Sequence, residues 1–216
     1  TSFADTKDST QTTTENNQSD SSSSDETSST DENNTEDDEN VLKTDDGFKY
    51  TVEDDEVTIK GYEGSKTTLT IPNEIDGKKV TKIGANAFDG NTSITSVEIQ
   101  DGITTIDSYA FYNAAALESV SIPESVTIMN EGAFANCTAL SSVNLPSKLK
   151  TISYGLFASC SNLTKIEIPE GVTSIDGYAF YTCASLKEIN IPEKVESIGE
   201  AAFYYCAALE SIEIPK

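Results

Sequence analysis

Histidine is missing from all 216 residues, and tryptophan with it. Without histidine the chain lacks the commonest general base and every Ser-His or Cys-His nucleophile arrangement. Cations are scarce as well: 14 basic residues stand against 37 acidic ones, for a net charge of −23. A phosphate backbone must be met by clustered basic residues, so nucleic acid is not an expected partner. Docking on an anionic lipid surface meets the same obstacle. No run of 18 apolar residues occurs, so direct membrane insertion of a helix is not expected either.

What is present divides the chain in two. Residues 1 to 40 carry twelve carboxylates and the single cation Lys7, and apart from Phe3 and Ala4 the rest is Ser, Thr, Asn and Gln. Such a stretch has no apolar surface to offset the entropy of ordering, so residues 1–45 are expected to form a disordered acidic tail or stalk. Thr1 opens directly into it, with no signal-peptide pattern, as in a trimmed exported chain or a cytosolic one. The stalk-like composition favours export.

Residues 46–216 are periodic. Phe88, Phe111, Phe134, Phe157, Phe180 and Phe203 stand 23 residues apart without a slip. A fixed period means one supersecondary unit stacked on copies of itself. Six residues after each phenylalanine comes Ile94, Leu117, Leu140, Leu163, Leu186 or Leu209. Alternating apolar positions follow, as at Val120 and Ile122, and this is strand chemistry. A proline usually ends the strand, as at Pro123, Pro146 and Pro169. A second short extended piece carries Ile106, Met129 or Ile152. The next column, Gly84, Asp107, Asn130, Ser153, Asp176 and Gly199, has helix N-cap chemistry, so a single helical turn is expected to carry the phenylalanine inward. Upstream, the alternation of Phe48, Tyr50 and Val52, then Val57 and Ile59, predicts a β-hairpin cap over residues 46–65, with about six repeats over 66–216. Asp76-Gly77 marks a further hairpin turn. At the far end Pro215-Lys216 follow a strand with no polar cap, so the edge is expected to be covered by a partner chain or by further residues.

The motif L-x-x-I-x-I-P-x-x-V-x-x-I-x-x-x-A-F-x-x-C, read from Leu163 to Cys183, resembles the 23-residue leucine-rich repeat of BspA-like bacterial surface proteins. The resemblance covers about residues 48 to 216. It implies an α/β solenoid, a right-handed leucine-rich-repeat stack of short parallel strands and short helical turns behind an N-terminal β-hairpin cap. It also implies a cell-surface or secreted protein that binds other proteins. Some members of the family are adhesins for host extracellular proteins such as fibronectin and fibrinogen.

A stacked array offers a long shallow surface rather than a closed pocket, so a binding scaffold is expected and not an enzyme. Two surfaces compete. The first is the outward strand column Glu98, Ser121, Asn144, Glu167, Asn190 and Glu213, on the presumed concave face. Strand-face polar residues normally just keep a sheet soluble. The second is a tyrosine patch near the turn, Tyr109, Tyr112, Tyr178, Tyr181, Tyr204 and Tyr205, joined by Tyr154. Tyrosine is favoured at interfaces, although some of these rings also shield the phenylalanine ladder. Glu167 and Glu213 fall two rungs apart, roughly 9–10 Å, but no convergent pocket supports glycosidic chemistry there. Cys137, Cys160, Cys183 and Cys206 share a column with Ala114, which points to a ladder of buried free thiols. Four thiols on a line do not make a tetrahedral metal site, and neither metal nor cofactor is expected. Self-association through the C-terminal strand edge and carbohydrate binding are the rival readings to an extracellular protein ligand.

Overall fold

The computed structural model describes residues 40–214. The expected disordered tail lies, up to residue 39, outside the described residues. Its last part does not behave as tail. Leu42–Lys43 form β1, which pairs antiparallel with β2 (Phe48–Glu53). β2 turns back into β3 (Glu56–Tyr62) through Asp54 and Asp55, whose φ values of 48° and 69° make the turn that matches strand twist. The alternation read in the sequence is the burial pattern observed: Phe48, Tyr50, Val57 and Ile59 all point into the core.

From β3 onward every pairing but that of β5 with β6 is parallel, each strand lying beside its equivalent one coil away. One ladder joins β4 (Thr68–Ile71), β7 (Ser96–Ile99), β9 (Ser119–Ser121), β11 (Ser142–Val143), β13 (Lys165–Glu167) and β15 (Glu188–Asn190). The second ladder leaves β3 through β6 (Lys78–Ile83) to β8 (Thr105–Ile106) and β10 (Ile128–Met129). β5 (Glu74–Ile75) folds back onto β6 across Asp76-Gly77, the hairpin that the sequence predicts. A separate ladder joins β12 (Thr151–Ile152), β14 (Ser174–Ile175) and β16 (Ser197–Ile198).

The break between β10 and β12 has a visible cause. In other coils a backbone N–H reaches the preceding coil's carbonyl, as Asn130 N–H does to Ile106 at 2.9 Å and Asp176 N–H to Ile152 at 2.8 Å. At the break the Ser153 hydroxyl donates to the Met129 carbonyl instead, at 2.5 Å.

No helix forms among the described residues, so the chain is a β-solenoid and not the expected α/β one. The segment around each phenylalanine is a turn whose N–H groups alternate in direction. Tyr109, Phe111 and Asn113 donate to Glu131, Ala133 and Ala135 of the next coil, at 2.9, 2.8 and 3.0 Å. Between them Ala110, Tyr112 and Ala114 donate back to Asp107, Tyr109 and Phe111. A helix aims every N–H the same way along its axis, so this alternation excludes one. It is produced by left-handed backbone at two columns: Asn86, Tyr109, Gly132, Gly155, Tyr178 and Ala201, then Gly90, Asn113, Asn136, Ser159, Thr182 and Tyr205. The presumed N-cap column bridges coils as well, for Asn130 donates its side-chain amide to Asp107 at 2.8 Å.

The core is one continuous stack. Successive phenylalanine rings lie 4.8 to 5.8 Å apart and within 12° of parallel. The four cysteines are buried free thiols. Each donates its S–H to a backbone carbonyl 26 residues earlier, as Cys160 does to Phe134 at 3.2 Å. Burial pushes the Cys137 thiol up to about 12, so it stays protonated and inert at neutral pH. No polar side chain is buried among the described residues. Because Phe134 is wholly enclosed between Phe111 and Phe157, Phe134→Ala is expected to cost about 3–5 kcal/mol in a urea melt. A cost under about 1 kcal/mol would contradict a filled ladder.

Candidate functional site

The strand face carries its predicted residues outward: Glu98, Ser121, Asn144, Glu167, Asn190 and Glu213 are all exposed. Glu98 stands beside Ser121 and Glu167 beside Asn190 in paired register. Asn144 lies one residue past β11, and Glu213 lies in no strand, so the column is a continuous ladder only in parts. Its charges are partly satisfied from within, since Lys165 pairs with Glu167 at 3.0 Å. The face is shallow, and its depressions are lined by charged, amide and aliphatic side chains without an aromatic ring.

The turn face is built differently. Side chains there leave a backbone fixed by coil-to-coil hydrogen bonds, so they vary without disturbing the core. Tyr154, Tyr178, Tyr181, Tyr204 and Tyr205 form an unbroken run of ring contacts with centroids 5.4, 5.4, 5.7 and 4.3 Å apart. Tyr181 and Tyr204 share a column and stack within 12°, as their spacing predicts. Tyr109 and Tyr112 make a separate edge-on pair at 5.5 Å. Tyr154, Tyr204 and Tyr205 are at least 49 % exposed.

Between the two groups lie two coils with only glycine and alanine in the columns of Tyr109 and Tyr112. Gly132, Ala135, Gly155 and Ala158 floor a groove of about 190 Å³, walled by Tyr109 on one side and Tyr154, Tyr178 and Tyr181 on the other. Tyr109 leans over the near edge, where a Cβ on Gly132 would meet its ring at 2.5 Å. Its hydroxyl donates to Glu131 at 2.5 Å, and that bond raises its pKa. The negative charge of Glu200 raises that of Tyr178. Both phenols therefore stay neutral at physiological pH. The groove lies between the two coils whose second-ladder strands, β10 and β12, do not pair.

Tyr109, Tyr178 and Tyr205 each hold φ at 59°. Left-handed backbone costs a side-chain-bearing residue roughly 1–2 kcal/mol, and a bulky residue there is an outlier. Glycine holds the same columns at 90, 132 and 155. The tyrosine columns are legible in the sequence. The groove between them is not, although the run of Gly and Asn at these positions signals left-handed turns.

The sequence matches the family described as BspA type leucine rich repeat region, in six copies over residues 62–166 and 150–216. The chain belongs to this family. Solved structures of similar bacterial repeat proteins agree in fold. A leucine rich repeat protein of T. pallidum is 26 % identical with a TM-score of 0.76, over 81 % of this chain and 84 % of that one. A leucine rich cell surface protein of Faecalibacterium prausnitzii A2-165 is 31 % identical with a TM-score of 0.62, over 80 % and 54 %. A leucine-rich repeat protein of Eubacterium ventriosum is 28 % identical with a TM-score of 0.58, over 77 % and 50 %. The chain thus spans about half the length of the last two. No curated protein matches it.

The two floor glycines separate packing from backbone strain. Gly155→Ala meets no atom closer than 3.9 Å, so only the left-handed backbone opposes it, at about 1 kcal/mol. Gly132→Ala must also displace the Tyr109 ring, which adds about 1 kcal/mol or more. In a Tyr109→Ala background that excess should vanish from the urea melts. An excess that persists there would show that the ring does not pack on Gly132.

Proposed function

We propose that the chain is a cell-surface or secreted repeat module that binds protein partners through the turn face of its solenoid, adhesion to host extracellular proteins being its form of use. The observation that carries this reading is the tyrosine run, exposed at Tyr154, Tyr204 and Tyr205, with Tyr178 and Tyr205 kept on left-handed backbone where glycine would serve folding better. Large, stiff rings with a polar tip supply contact area at little entropic cost, which is why they anchor interfaces. The strand face offers no such anchors. The surface assignment is supported by the F. prausnitzii relative, which is described as a cell surface protein. No helix among the described residues is long and apolar enough to cross a membrane.

Binding of the full chain to immobilised fibronectin and fibrinogen tests the main reading. Tyr181→Ala with Tyr204→Ala is expected to weaken it tenfold or more, about 1.4 kcal/mol, while Glu167→Ala with Asn190→Ala changes it less than about twofold. The opposite ranking would move the site to the strand face. Protease applied to intact cells should remove the protein, and its retention through fractionation as a cytosolic chain would rule out the surface role.

A further inference from the structure

We propose that the groove over Gly132 and Gly155 receives a lysine or arginine side chain carried by the bound protein. The inference rests on the turn-face reading above and names the chemistry of its central contact. Size comes first. At about 190 Å³ the groove falls below the roughly 300 Å³ at which small-molecule sites begin. It equals about six water volumes, which suits one long side chain.

Shape and charge then choose among side chains. The walls are aromatic and the floor is glycine and alanine, so the occupant needs an apolar stem. Glu131 is the one carboxylate in the lining, no amine accompanies it, and Glu200 adds its field at Tyr178. Because both phenols remain protonated, the rings present neutral π-faces beside negative charge. A cation over a tyrosine face is attracted by the ring quadrupole, and the effect grows as water is excluded. An acidic side chain would meet Glu131 and a chain of net charge −23. Lysine and arginine alone combine an apolar stem with a positive head at every physiological pH. The turn beneath stays closed, with Gly132 N–H on Tyr154 and Phe134 N–H on Leu156 at 2.9 and 3.0 Å, so the depth for the stem comes from the flanking rings.

The test uses the full chain with three blocked tripeptides, Gly-Arg-Gly, Gly-Lys-Gly and Gly-citrulline-Gly, the last matching arginine's shape without its charge. Heteronuclear NMR follows the amide signals of Gly132 and Gly155. Arginine and lysine peptides are expected to shift both signals, and the citrulline peptide to bind at least tenfold more weakly. Glu131→Gln keeps an acceptor for the Tyr109 hydroxyl and should weaken binding about threefold through the lost charge alone. Tyr178→Gly, glycine being at ease at φ 59°, should abolish the response while signals of the β2–β3 hairpin stay in place. Equal binding of the citrulline peptide, or silence with both cationic peptides, overturns the proposal. A response confined to a neutral oligosaccharide such as maltotriose overturns it in favour of a glycan. Should tyrosine variants still lose protein binding while the peptides are silent, this inference alone falls. Should they keep protein binding, the turn-face reading falls with it.

Discussion

Everything in this solenoid depends on how the turn backbone shares its hydrogen bonds. Alternate N–H groups leave the coil for the next one, and the rest close the turn locally. Every coil is therefore tied to its neighbour beside the phenylalanine ladder, and the turn is held whatever side chains it carries outward. The same rule demands left-handed backbone at two positions per coil, which forbids a helix there. Apolar burial supplies the driving force, but the hydrogen-bond pattern sets the shape that the burial takes.

Two faces with different freedoms follow. On the strand face the pleat fixes every second side chain inward and leaves polar and charged groups outside. On the turn face packing constrains the inward phenylalanine, alanine and cysteine columns, and left-handed backbone constrains two more. Tyrosine has collected there in two groups separated by coils of glycine and alanine, and the groove is the relief between them. It coincides with the missing pairing of β10 and β12, where a serine hydroxyl takes an acceptor that elsewhere serves the ladder. One local substitution in one coil thus accompanies the loss of one pairing, while the turn bonds between the same coils stay closed.

Much of the fold was legible because repetition amplifies weak signals. Six phenylalanines at one spacing announce a ladder that no single one could, and Phe88 through Phe203 stack accordingly. The hairpins at Asp54-Asp55 and Asp76-Gly77 were readable from turn chemistry and alternation. The helical turn was misread because Asp107 or Asp176 before an apolar run has the chemistry of an N-cap. The columns of Asn and Gly two residues either side of the phenylalanine carried the contrary signal. β1 was hidden by its setting, since Leu42 follows a run of acidic residues. The groove could not be read at all. It depends on which coils lack a ring in the Tyr109 and Tyr112 columns and on the lean of Tyr109 over Gly132, and the lean is not recorded in a periodic pattern.

The claim at the centre is that each 23-residue coil is a complete, interchangeable unit of backbone bonding. Removing residues 112–134, one full period between Phe111 and the end of the next coil, joins equivalent points of the array. The shortened chain should keep the strand signature in circular dichroism and unfold cooperatively in urea with a proportionately smaller m-value. Removing 112–131 instead leaves the register three residues out, and that chain should lose its cooperative transition. Equal behaviour of the two deletions, or collapse of the 23-residue one, would show that the coils are not the units of this structure.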